Sequence, residues 1–298
     1  MARKTITGVC LRGRFLEWTT LVPGKKGIER RAFRQVELEG EPDALETPAG
    51  LAEAIRRQCP DLEGPVIPGL APGKMLTRVV ALPSTDPTEL AAMVALQVDQ
   101  FSPFPEDRMA VSHEILSASE SSSLVLIAAV PKDQIESIGD LFRLLGAPIR
   151  RLDAEAMGWW RLLVDSGEAP ARGRALLLVL EPAGGVWMAV QDGVLQGIKP
   201  VAPSEGVPED VFVEELAGDM GALVLALDLE RGTEPVKGLE AWTRGGPAPA
   251  LRMGFRSAHG HFPRTARRQR IGTADVGRGL RCGVRFFAGR PNDRLLEH

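Results

Sequence analysis

The sequence predicts an α/β protein of two lobes, with a small α+β subdomain set into the first. Three observations carry this. Each half opens on paired strands that are followed by a helix. A linker of small and turn-forming residues, Glu168 to Gly173, separates the halves. Between them, residues 84–150 read as helix, two strands and helix, with a strong start and stop signal at either end. The expected divisions are 1–83 for the opening of the first lobe, 84–150 for the subdomain, 151–168 for a helix returning to the first lobe, 169–250 for the second lobe and 251–298 for a basic tail.

In chain order, apolar alternation at Thr5–Leu11 and Phe15–Leu21 predicts two strands joined by an Arg12-Gly13-Arg14 turn, with a third strand over Ala32–Leu38. Thr47-Pro48 supplies a hydroxyl cap and a proline at the first helical position. The helix it starts presents Leu51, Ile55 and Cys59 on one face and stops before Pro60. Strands follow near Val66 and over Met75–Leu82.

Asp86-Pro87-Thr88-Glu89 is the best local signal in the chain, because it combines an Asp cap, a proline at N1 and a glutamate placed for a capping box. Leu90, Met93, Val94, Val98 and Phe101 then recur at helical spacing until Pro103 and Pro105 forbid continuation. Met109–Leu116 and Ser123–Val130 form a strand pair around a serine-rich tip. Pro131 opens a second helix that Gly146 caps, and a short strand to Leu152 leads into a helix through Trp159-Trp160. In the second half, Ala175–Leu180 and Val186–Gln191 are strands. Asp192-Gly193 is a hairpin signal leading to Val194–Lys199, and Val207-Pro208 begins a helix to about Leu229.

Composition narrows the function classes. Three scattered cysteines (Cys10, Cys59, Cys282), without Cys-x-x-Cys spacing, argue against a disulfide framework or zinc site. Met1–Thr7 lacks the apolar run of a signal peptide, and the apolar run at Ala175–Leu180 is far too short to span a membrane. The net charge of −3 conceals a split: residues 251–298 hold eleven arginines, no lysine and three acids, a local charge of +8.

From Arg78 to about Leu163 the chain resembles the PilM/GspL family, actin-like cytoplasmic proteins of type IV pilus and type II secretion assembly platforms. The likeness rests on Leu82-Pro83 ending a strand, a helix rich in Glu, Val and Gln, and the Pro103-Phe104-Pro105 stop. Two strands ending in Ala128-Ala129-Val130-Pro131, a helix ending in Leu145-Gly146, and Asp153 before the next helix complete it. The resemblance implies an actin-like (ribonuclease H-like) two-lobed fold. It also implies a non-catalytic scaffold, cytoplasmic and peripheral to the bacterial inner membrane, that binds the tail of a PilN-like bitopic membrane protein. A pilus or secretion ATPase and a second copy of the chain are further partners in this reading. The alternative is an actin-like protein that uses ATP with Mg²⁺ as a conformational switch.

The nucleotide motifs of the family fall on degenerate positions. In the first, Gly8 is present, but Cys10 stands where the resemblance implies Asp and Arg12 where it implies Gly. In the second, Glu181 can replace an Asp and Gly184-Gly185 follow, but Pro182 has no N–H to offer a phosphate. No cofactor and no ATP hydrolysis are therefore expected, and the glycines read as hairpin turns. Phe101, Pro103, Phe104 and Pro105 are the candidate wall of a partner groove, together with the opening strands; the plainer reading is that they seal the end of a helix.

His113 reads as a surface or satisfied core histidine. Consecutive Trp159 and Trp160 cannot both face one core. Glu214, Glu215 and Asp219 suit a solvated helix face better than a metal site. The arginine-rich tail admits nucleic-acid or lipid binding. Its glycine-dense, aperiodic sequence, and a closing Leu296-Glu297-His298 like residues added in cloning, favour a poorly ordered or non-native segment instead.

Overall fold

The structure is a computed structural model that describes residues 5–25, 27–60, 62, 65–181, 184–202, 206–231 and 236–243. The opening alternation forms β1 (Ile6–Arg12), β2 (Phe15–Gly24) and β3 (Gly27–Glu37), an antiparallel meander whose first turn uses Gly13 at φ +57°. A short helix α1 (Pro42–Leu45) that the sequence reading did not contain precedes α2 (Pro48–Gln58). Thr47 caps α2 by accepting the Gly50 N–H at 3.2 Å. The chain then crosses to β4 (Val66–Leu70), parallel to β1. With β8 (Asp153–Ala154) the sheet order is β3-β2-β1-β4-β8.

The second half repeats this path. β9 (Arg174–Glu181), β10 (Gly184–Gln191) and β11 (Val194–Val201) form a meander, α6 (Glu209–Arg231) crosses, and β12 (Val236–Thr243) lies parallel to β9 in the order β11-β10-β9-β12. The meander, crossover helix and parallel fourth strand of one lobe are thus duplicated in the other. The β10–β11 turn is the expected Asp192-Gly193 pair, at φ +51° and +78°, and Asp192 Oδ1 accepts the Gly173 N–H at 2.7 Å.

Between the lobes lie β5 (Leu76–Leu82), α3 (Pro87–Phe101), β6 (Met109–Ala118), β7 (Ser123–Pro131) and α4 (Lys132–Leu145), followed by α5 (Glu155–Asp165). Asp86 caps α3 through the Thr88 and Glu89 N–H groups. The capping box does not close as expected: Glu89 Oε2 accepts the Ser84 hydroxyl, and Ser84 Oγ in turn accepts the Asp86 N–H at 3.1 Å. The box is relayed through one extra residue.

The elements between 84 and 150 share a sheet and cores with their neighbours. The third sheet, β5-β7-β6, takes its first strand from Leu76–Leu82, ahead of residue 84. One face of it packs on α3 through Val80, Leu90, Val94, Val98 and Ile127. The other face, with Val79, Leu126 and Ala128, enters a core shared with α5 and the second sheet. Helix α4 contributes Leu141 and Phe142 to the core of the first lobe, against Leu51 and Ile55 of α2. Residues 84–150 are therefore tied to both lobes, because β7 is buried on both faces and has apolar neighbours to satisfy on each. The same reasoning accounts for the uninterrupted apolar run of β9, whose Leu177 and Val179 face α5 while Leu176 and Leu178 face α6. Among the described residues no helix is long and apolar enough to cross a membrane.

Candidate functional site

Among the described residues, two places bring chemistry-bearing side chains together. The first is built where β1, β4 and β8 end against the start of α5. Arg12, the last residue of β1, donates from Nε to Glu155 Oε2 at 3.0 Å, and both side chains are nearly enclosed at 13% and 3% exposure. The Arg12 guanidinium also lies over the Trp159 ring at 5.9 Å. Trp159 is half-buried while Trp160 is in the core, the split expected of consecutive tryptophans.

Cys10 sits beside this pair. Gly69 of β4 pairs with Cys10 in register, and a side chain at Gly69 would meet Glu155 Cγ at 2.9 Å and Cys10 Sγ at 3.2 Å. Burial pushes the Cys10 thiol well above its ordinary value of 9.0, and the Glu155 charge adds to the rise while Arg12 opposes it. The thiol thus stays protonated in the fold after it would ionise in the unfolded chain. That contribution is intact below pH 9 and is lost as pH rises above it. Stability should decline above pH 9 by up to about 1.4 kcal/mol per pH unit from this group, and Cys10→Ala should remove that part of the slope. Urea titrations of both proteins between pH 7 and 10.5 provide the measurement; identical slopes would contradict it. The chain contains no tyrosine to confuse the alkaline limb.

Of the residues that the sequence reading assigned to the first nucleotide motif, Cys10 and Arg12 converge on Glu155. Gly8 lies two residues back in β1, opposite Thr19 and Ile67. Asp153, just before α5, accepts a bidentate pair from Arg151 at 2.8–3.0 Å. The second set lies in the other sheet, where Gly184 pairs with Glu181 and Gly185 with Leu180; Pro182 lies outside the described residues. Glu155 was not anticipated, since it is 143 residues from Arg12 in sequence.

The second place is a groove of about 590 Å³ between α4 and the segment that returns the chain to the first lobe. Ile135, Gly139 and Phe142 line it from α4, and Pro148, Ile149 and Leu152 from the returning segment; Arg143, Arg150 and Arg151 stand at its rim, Arg143 paired with Asp140 and Arg151 with Asp153. Its volume is in the range of ligand sites. Gly139 leaves the wall open, because no atom lies within 4 Å of where its side chain would begin. The returning segment runs alongside β4: the Val66 N–H donates to the Pro148 carbonyl, and the Arg150 N–H to the Val66 carbonyl, both at 2.9 Å.

The expected groove wall, Phe101–Pro105, lies at the end of α3. Phe101 packs beneath α3 with the Arg78 guanidinium over its ring, and Phe104 is 43% exposed with Arg108 above it. Pro103 and Pro105 are exposed, and Ser102 Oγ closes a turn by accepting the Phe104 N–H. These residues belong to the third sheet's helix, whereas the opening strands form the first sheet. His113 is half-buried on β6. Asp219 pairs with Lys199 at 3.2 Å, and Glu214 and Glu215 are exposed. Among the described residues no group of His, Cys, Asp or Glu could hold a metal ion. The 251–298 tail lies outside the described residues.

No family model matches the sequence, and no curated protein matches it. Solved structures do resemble the fold. The chain is similar to a structure of the PilM-PilN type IV pilus biogenesis complex, with a TM-score of 0.66 at 15% identity over 86% of each chain. It is also similar to the cytoplasmic domain of EpsL, an inner membrane component of the type II secretion system of Vibrio cholerae. There the TM-score is 0.51 at 15% identity, over 90% of this chain and 89% of that one. With two meander-crossover lobes and a third sheet between them, the chain has the actin-like α/β fold that the resemblance to the PilM/GspL family implied.

Proposed function

We propose that this protein is a non-catalytic scaffold of a type IV pilus or type II secretion assembly platform, and that the groove between α4 and residues 146–152 receives the cytoplasmic tail of a PilN-like membrane protein. The groove is the observation that carries the reading, supported by the likeness of the fold to a protein solved in complex with PilN. Its chemistry suits an extended peptide. Strand alternation turns the Ile149 N–H and C=O away from β4, where they can meet a peptide main chain. Ile135, Phe142 and Leu152 offer apolar contact, and the exposed Arg150 at the rim can meet a carboxylate of the tail. Working at the membrane would then depend on the partner's span, and no nucleotide takes part.

The test is Gly139→Trp in the full chain, titrated calorimetrically with the N-terminal peptide of the PilN-like protein encoded beside it. The indole fills the groove from a helical position with open space, so affinity should fall at least about tenfold while the circular dichroism spectrum is retained. Unchanged affinity would sink the groove. Loss through Phe104→Asp instead would move the docking surface to the Phe101–Pro105 segment.

A further inference from the structure

The ribbon of β2 and β3 runs past the rest of its sheet. Among the described residues β1 pairs with β2 only as far as Leu21, while β2 and β3 continue together to Gly24 and Gly27. The three further residues of β2 reach about 10 Å beyond that point. Cations gather on this arm and just behind it. Lys25 in the turn and Arg30, Arg31 and Arg34 along β3 are all exposed, and Lys26 adds a fifth in the sequence. With Glu29 counted against them, residues 22–34 carry +4, although residues 1–250 as a whole carry −11. The remaining acids of the ribbon, Glu17 and Glu37, lie toward its other end, opposite Gln35 and Phe15. Among the cations at the tip stands Ile28, 52% exposed.

Cations on an edge strand discourage pairing with another chain, and that accounts for arginines along β3. It does not account for a large aliphatic side chain at the projecting tip. Nucleic acid would draw on the cations but gain nothing from Ile28. An anionic lipid surface uses both, since headgroup phosphates take the cations and the interfacial layer takes the apolar side chain. The Arg30 guanidinium over the Phe33 ring keeps its positive charge in that contact. We infer that the tip of the β2–β3 ribbon rests on an anionic lipid surface, with Lys25, Arg30 and Arg31 on the headgroups and Ile28 among the upper acyl chains. Each cation near such a surface raises partitioning about fivefold, so the contact is reversible and orients the first lobe rather than anchoring it. It requires no tail in the groove.

The test is sedimentation of the full chain with phosphatidylcholine vesicles, with and without about 30% phosphatidylglycerol, alongside amide hydrogen exchange. Exchange reads residues 22–31 separately from the arginine-rich 251–298, which the same vesicles attract. Amides of 22–31 should exchange at least about fivefold more slowly on the anionic vesicles and be unchanged on the neutral ones. Lys25→Glu/Lys26→Glu should lower binding at least about tenfold and abolish that protection, and high salt should weaken both. Absence of protection at 22–31, or protection that survives the charge reversal, would overturn the inference. Ile28→Ser should lower partitioning at least about threefold; an unchanged value would overturn the lipid assignment, since charge alone does not select lipid. Equal protection by duplex DNA would overturn it in favour of nucleic acid. Protection that rises with protein concentration in the absence of lipid would do so in favour of a second copy paired along β3.

Discussion

Arg12→Ala should lower the unfolding free energy by about 3 kcal/mol, because it strands a carboxylate inside the protein. Glu155 is 3% exposed, and its Oε2 takes the Arg12 Nε–H at 3.0 Å. Beyond Arg12 the carboxylate has the Cys10 thiol as a side-chain hydrogen-bond partner, a weak donor. Removing the guanidinium leaves the buried carboxylate with that thiol alone and takes away the cation above Trp159. Removal of one partner from a buried pair costs about 3–5 kcal/mol, and the 13% exposure of Arg12 puts this pair at the lower end. Glu155→Gln should cost less, since the remaining cation keeps the Trp159 ring and some water. The double variant Arg12→Ala/Glu155→Gln should be more stable than Arg12→Ala alone. Urea unfolding of the four proteins gives the coupling directly. A single-variant loss below about 1 kcal/mol would show that the pair is already hydrated.

That pair also marks what could and could not be read from the sequence. Signals acting over a few residues were legible. Thr47 and Asp86 cap their helices as expected, Gly146 ends α4 at φ +69°, and Asp192-Gly193 makes its hairpin. Each rests on backbone geometry that one or two side chains determine. The hydrophobic periods placed the strands for the same reason.

What was missed depends on contacts between distant segments. Nothing near Arg12 announces Glu155. Nothing in 132–152 announces a groove, because its walls are ordinary helix and extended residues until α4 packs against α2. The sheet that Leu76–Leu82 joins is not legible either, because the segment reads equally well as a strand of either neighbouring sheet and only pairing with β7 decides. The Ser84 relay at the start of α3 belongs to the same class on a smaller scale: a serine two residues before Asp86 competes for the glutamate. Local propensity cannot rank such rivals.

Two glycines separate a structural demand from a nucleotide role. Gly8 and Gly185 were both assigned to nucleotide motifs on the strength of the family resemblance. A methyl group at Gly185 would lie 2.3 Å from the Val179 carbonyl oxygen and 3.2 Å from Leu180 Cα. Both are backbone atoms of β9, which is paired on both edges and buried on both faces, so neither can retreat. At Gly8 the same methyl group meets nothing within 4 Å. Gly185→Ala should therefore cost about 3 kcal/mol or more, while Gly8→Ala stays within about 0.5 kcal/mol of the parent. Thermal and urea unfolding, each with and without Mg-ATP, will separate the causes. If Gly185 serves the sheet corner, its variant is destabilised equally under both conditions, and neither the parent nor Gly8→Ala shifts with nucleotide. A melting temperature that rises with Mg-ATP in the parent and no longer does so in Gly8→Ala would replace the scaffold reading with that of a nucleotide-dependent switch.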